Sequence, residues 1–238
     1  MSKKESDLYK DRPEIRYGDN YEEYISELSR ILKESEKVID KDEFMRKRFL
    51  NEQISFKETH PDHTMCTGLG VAHTSKDKEK RICKCMNYYK KKYEKNCDNC
   101  KIESKWNNIG DIEIIDYEVP MKYKYENVGG IDLILKVPNN NDLYATEVKP
   151  KDNKETLVRM FAEILTYVIG SEYKPAICFF EGSKQMKDFK RFIDDNNEDI
   201  KYIMKYIRVF YVSIVSVDDN INNFRILPIE ECKEIYGK

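Results

Sequence analysis

Between residues 129 and 150 the chain reads GGIDLILKVPNNNDLYATEVKP, two strand-forming runs held apart by a cluster of turn residues. Proline, three asparagines and an aspartate in succession favour chain reversal. GIDLILKV and LYATEVK are therefore expected to pair as an antiparallel hairpin. Side chains alternate along a strand, so Glu147 and Lys149 share one face of the second run while Val148 points to the other. Antiparallel pairing brings Asp132 of the first run close to Glu147. An aspartate inside the apolar IDLIL is disfavoured in a strand and costly if buried unpaired, so its presence calls for a chemical reason.

The rest of the C-terminal half supports an α/β fold. After the hairpin, KETLVRMFAEILTYVIG carries Leu157, Phe161, Ile164 and Val168 as one helical stripe and stops at Gly170. KPAICFFEG reads as a buried strand, SKQMKDFKRFIDD as a helix with Ser183 as its N-cap, and RVFYVSIVSV as a long strand. Ahead of the hairpin, YEVPMKYKY alternates Met121, Tyr123 and Tyr125 with lysines, the period of a half-exposed strand. The expected order from Tyr117 is β-β-β-α-β-α-β. Upstream, Tyr24, Leu28, Ile31 and Leu32 mark an amphipathic helix over 21–38, and a second helix is expected over 42–53.

Two carboxylates at adjacent strand ends, followed by a lysine, suit a divalent-metal site for phosphodiester hydrolysis. Oxygen ligands suit magnesium or manganese, and magnesium keeps several waters while taking only one or two carboxylates. Asp132, Glu147 and the Val148 carbonyl are the candidate ligands, and Lys149 the candidate group that orients water or stabilises the transition state. Glu-x-Lys alone is uninformative, because it also starts at Glu103, Glu172 and Glu231. Only Glu147 ends a strand that follows an Asp-bearing strand and precedes a long helix. A solvated pair of edge-strand charges is the plain alternative.

Gly130-Ile131-Asp132-Leu133 and Glu147-Val148-Lys149, followed by a helix, resemble the central motifs of the PD-(D/E)xK nuclease superfamily. The resemblance covers Tyr117 to about Val217. It implies a restriction-endonuclease-like fold, a mixed central sheet flanked by helices, with metal held by Asp132 and Glu147 and Lys149 catalytic. It further implies a metal-dependent nuclease acting most readily on DNA. In the RecB-type branch the next helix carries Gln-x-x-x-Tyr, and the matching positions here are Glu163 and Tyr167, the glutamate being a departure. The family commonly adds an acidic residue from an early helix, for which Glu43, Glu52 and Glu118 are candidates.

Residues 57–108 break the apolar pattern and read as an insertion rich in cysteine and histidine, between an N-terminal helical part of the core (1–56) and the nuclease core (109–238). Cys83-Lys84-Cys85 and Cys97-x-x-Cys100 supply four thiols, with Cys66, His60, His63 and His73 upstream. Cys-x-x-Cys is the common zinc-knuckle spacing, so four of Cys66, Cys83, Cys85, Cys97 and Cys100 are candidate ligands of a structural zinc; an iron–sulfur cluster is the rival reading. Cys178 and Cys232 read as buried apolar residues. Residues 76–105 hold eleven Lys or Arg against five Asp or Glu, interleaved with tyrosines, which suits phosphate contact and base stacking or simply a solvated face.

A formal net charge of −2 excludes coating of nucleic acid by bulk charge, and 36% charged with 40% apolar residues fits a protein with a sizeable core. No stretch is apolar enough to span a membrane, and MSKKESDLYK lacks a secretory pattern, so a reducing cytoplasm is expected. Two non-enzymatic readings stand beside the nuclease: a partner-dependent nucleic-acid-binding subunit that keeps the fold, and a zinc-centred regulator. Nucleic acid, a partner subunit or a second copy of the chain are the expected partners.

Overall fold

The computed structural model describes residues 22–49, 78–88, 105–119, 130–138, 142–218 and 221–237. Its elements are α1 (Glu22–Ser35), α2 (Lys41–Phe49), α3 (Lys78–Tyr88), β1 (Lys105–Asn108), β2 (Glu113–Val119), β3 (Ile131–Lys136), β4 (Leu143–Lys149), α4 (Leu157–Tyr167), β5 (Lys174–Phe180), α5 (Lys184–Asp194), α6 (Glu198–Ile203), β6 (Arg208–Asp218) and β7 (Ile221–Pro228). A 3-10 turn (Ile229–Glu231) and a short α7 (Lys233–Tyr236) follow. Among the described residues no helix is long and apolar enough to cross a membrane.

The seven strands form one mixed sheet in the order β1-β7-β6-β5-β4-β3-β2. β2, β3 and β4 run antiparallel, β4, β5 and β6 run parallel, β6 and β7 form a hairpin, and β1 lies parallel to β7. The central strands are apolar on both faces because both faces are covered, as parallel strands require. On one face Ile134, Ala145, Ile177, Phe179 and Val209 pack with α1, α4, α5 and α6 around Phe161 and Phe189. On the other, Leu133, Val148, Cys178, Phe210 and Phe224 pack with Ile82, Cys83, Cys85 and Met86 of α3 and with Trp106. β1 and β2 are at opposite ends of the sheet, yet α3 touches both, so the sheet curls around this helix.

The expected hairpin is present, with Leu133 opposite Thr146 and Ile134 opposite Ala145. Thr156 caps α4 by accepting a hydrogen bond from the Arg159 N–H, and Ser183 caps α5 by accepting from Met186. Gly170 has φ of 66°, which ends the segment after α4 as a glycine can. A second glycine has a steric role: a Cβ on Gly130 would lie 2.9 Å from the Val119 carbonyl oxygen, so only glycine lets β3 begin this close to the end of β2.

Within the expected insertion over 57–108 the described elements are α3 and β1, and both pack in the core; the rest of that span lies outside the described residues. α3 packs there because Ile82, Cys83, Cys85 and Met86 act together as the apolar stripe of a helix, cysteine counting as a small hydrophobe. β2 begins at Glu113, upstream of the expected strand, whose Met121, Tyr123 and Tyr125 lie outside the described residues. The helix over 42–53 is described from Lys41 to Phe49. β1, β7 and α6 were not expected.

Candidate metal centre

The β3–β4 register, continued one pair beyond Leu133 and Thr146, sets Asp132 opposite Glu147. Both carboxylates lie on the face that carries Ile134 and Ala145, beneath α4. Val148 turns its side chain into the opposite core, and its N–H donates to Asp132 Oδ2 at 2.7 Å. Glu79, in the first turn of α3, completes a triad. One carboxylate oxygen from each of Glu79, Asp132 and Glu147 lies within 4.8 Å of the other two.

The Lys149 ammonium sits among these acids. Its Nζ lies 2.6 Å from Glu147 Oε1, 3.1 Å from both Glu79 oxygens, 3.0 Å from Glu155 Oε2 and 3.7 Å from Glu163 Oε2. Arg159, buried one turn before Glu163 on α4, donates from Nη2 to Glu163 Oε1. Among the described residues, five carboxylates thus share two cations in a volume almost closed to solvent.

Electrostatics follow from this imbalance. Burial, then the Glu79 charge, push the Asp132 carboxyl well above the ordinary aspartate range, although Lys149 and the Val148 N–H pull the other way. Burial, then Asp132, do the same to Glu147. Burial acts to lower the Lys149 pKa, but Glu147, Glu163 and Glu79 outweigh it and hold the ammonium charged well above the usual lysine range. Among the described residues the cluster is short of positive charge. Three carboxylates with no nitrogen or sulfur among them form a hard, all-oxygen donor set, which fits magnesium or manganese.

The structure brings together Asp132, Glu147, Lys149 and Glu163. Tyr167 lies one turn beyond Glu163 and is buried; burial, then Glu147 and Glu163, push its phenol well above the ordinary tyrosine range. Of the three early acids, Glu43 pairs with Lys47 at 3.2 Å on α2, and Glu118, at a positive φ of 49°, pairs with Lys80 at 3.1 Å. Glu52 lies outside the described residues. The acid that reaches the triad is Glu79, which sequence reasoning passed over as part of the basic run KDKEKR. Glu155 and Arg159 were passed over too.

Cys83 and Cys85, expected as one chelating arm, lie on α3 with their side chains in the core. Two residues apart on a helix, they project about 160° apart around its axis. Both are packed in the core, and burial, then Asp132 and Glu79, push the Cys83 thiol well above its ordinary range. Cys178 and Cys232 are buried and reduced, as read. Cys66, Cys97, Cys100, His60, His63 and His73 lie outside the described residues.

Comparison of the chain with protein-family models, with curated proteins and with solved structures finds no match.

Proposed function

We propose that this protein is a divalent-metal-dependent nuclease of the PD-(D/E)xK type, hydrolysing phosphodiester bonds of DNA. The observation that carries the reading is the buried triad of Glu79, Asp132 and Glu147, with Lys149 touching two of its members, on a β-hairpin covered by a helix. Burying three like charges within 4.8 Å has no structural benefit that an apolar trio would not exceed, so the arrangement makes sense as a cation site.

Glu79, Asp132 and Glu147 would hold magnesium or manganese, with the Val148 carbonyl as a further candidate oxygen. When bound, such an ion neutralises charge on the phosphodiester and makes water acidic enough to attack near neutral pH. The chain's own contribution is orientation. The Val148 N–H fixes the Asp132 carboxylate by its 2.7 Å hydrogen bond. Lys149 remains charged in this field and is placed to donate from Nζ to the attacking water or to a non-bridging phosphate oxygen, where negative charge grows in the transition state. The helix α4 closes the site against bulk water with Tyr167 and Glu163, and Arg159 keeps the Glu163 carboxylate turned toward Lys149.

The test is cleavage of linear, circular and single-stranded DNA with magnesium or manganese, comparing wild type with Lys149→Ala, Glu147→Ala, Asp132→Ala and Glu79→Ala. Metal-dependent cutting lost in all four, with circular dichroism unchanged in the three acid variants, supports the nuclease. A well-folded wild type that cuts no substrate but binds DNA supports instead a partner-dependent subunit that retains the fold.

A further inference from the structure

The β4–α4 connection, PKDNKET, is held by a buried amide from another helix. Gln185, wholly buried in the first turn of α5, donates from Nε2 to the Glu155 carbonyl at 2.7 Å and to the Asn153 carbonyl at 3.1 Å. The Asn153 side chain accepts from the Glu155 N–H at 2.7 Å and, through Nδ2, reaches Glu79 Oε2 at 3.4 Å. The backbone of Glu155 is therefore gripped on both its N–H and its carbonyl, while its carboxylate holds Lys149 at 3.0 Å.

Glu79 and Glu147, the other acids within hydrogen-bonding distance of Lys149, are both members of the triad. Turning them to a divalent ion would take these contacts from Lys149. Glu163 stands farther off, at 3.7 Å, and is already engaged by Arg159. Glu155 is the carboxylate that stays. We propose that Glu155 is a positioning residue, the retained counter-ion that keeps the Lys149 ammonium in place once a metal occupies the triad, and that Gln185 and Asn153 act by fixing Glu155. The inference rests on the metal-dependent reading of the site. A fully buried glutamine is costly unless its amide is used; here Nε2 is used on this loop, while Oε1 has no hydrogen-bond partner among the described residues.

The test compares wild type with Glu155→Gln, which keeps the shape and removes the charge, and with Gln185→Met, which keeps the bulk and removes the donor. Lys149 is followed by the 15Nζ signal of its ammonium, assigned by its absence in Lys149→Arg, with and without saturating magnesium. Manganese binding is measured separately by electron paramagnetic resonance. In wild type the signal persists with magnesium. In Glu155→Gln it is present without magnesium, where Glu79 and Glu147 still hold the lysine, and is lost with it. Manganese affinity stays close to wild type, KM for DNA changes little, and kcat falls roughly 10- to 100-fold, the scale for a displaced catalytic group. Gln185→Met moves the same readouts in the same direction by less.

A Glu155→Gln protein that keeps the wild-type signal in magnesium and the wild-type kcat overturns the proposal. So does one whose manganese binding collapses, because Glu155 is then a ligand. If wild type cuts no DNA but the lysine signal behaves as described, the nuclease reading fails and the positioning role stands.

Discussion

Asp132→Asn should make the metal-free protein more stable while abolishing its response to metal. Asp132 is buried, and asparagine keeps its shape and its acceptor for the Val148 N–H. What is lost is a negative charge whose neighbours in the triad lie within 4.8 Å. At that separation and an effective dielectric near 20, each carboxylate pair repels by about 3.5 kcal/mol. The attraction of Lys149 offsets part of this, but the Glu79 repulsion on Asp132 is the larger of the two. A net gain of about 2 kcal/mol is reasonable, or roughly 4–8 °C in Tm for a chain of this size.

The gain depends on pH in a defined direction. Asp132 and Glu147 are raised above their ordinary values of 3.8 and 4.5, so they bind more protons folded than unfolded. Their contribution to stability is full below those ordinary values and is lost as pH rises through the raised folded ones. Calorimetry in chelator should show wild type losing stability from mildly acid to mildly alkaline pH, with Asp132→Asn much flatter and the two converging in acid. Magnesium at a hundred times its Kd should return about 2.7 kcal/mol to wild type and nothing to the variant. Equal destabilisation of the variant at pH 5 and pH 8, with magnesium stabilising both proteins alike, would refute the electrostatic account.

Lys149→Met removes the cation from the cluster and should destabilise the metal-free protein by about 3–5 kcal/mol in thermal melts at pH 8, with magnesium restoring part of the loss. Glu79→Gln should abolish manganese binding measured by paramagnetic resonance, whereas Glu43→Gln, whose carboxylate pairs with Lys47 on α2, should leave it unchanged. Ser183→Ala removes the α5 cap and should cost about 1 kcal/mol in denaturant unfolding, with metal affinity intact. Gly130→Ala drives a methyl onto the Val119 carbonyl and should cost roughly 1–3 kcal/mol, with metal affinity falling because Asp132 lies two residues along the displaced strand.

The hairpin, α4 and α5 were legible because each carries a local signal: turn residues between apolar runs, a helical stripe, and a Ser or Thr cap. Asp132, Glu147 and Lys149 were legible for a related reason, since one hairpin register fixes their mutual placement. β1 and β7 gave weak signals, because KWNN and INNFRILP are short or polar and become strands only through pairing with each other and with β6. The helix α3 was hidden by its own composition. Its two cysteines invite a metal reading, and its lysines mask an apolar stripe that matters only once the sheet curls over it.

Glu79 was illegible for a deeper reason. Nothing in KDKEKR distinguishes a glutamate that faces water from one that enters a buried site, because the difference is made by the sheet on which α3 packs. The same packing explains how the chain tolerates its acidic centre without metal. Lys149 lies between Glu147 on its own strand and Glu79 on α3, so one ammonium joins the hairpin to the helix that covers its far face. Glu163 and Glu155 then tie that ammonium to α4 and its N-terminal loop. The charge that chemistry needs on Lys149 is thus also the charge that holds α3, β4 and α4 in register. Removing it should disturb structure and activity together, whereas neutralising Asp132 should separate them.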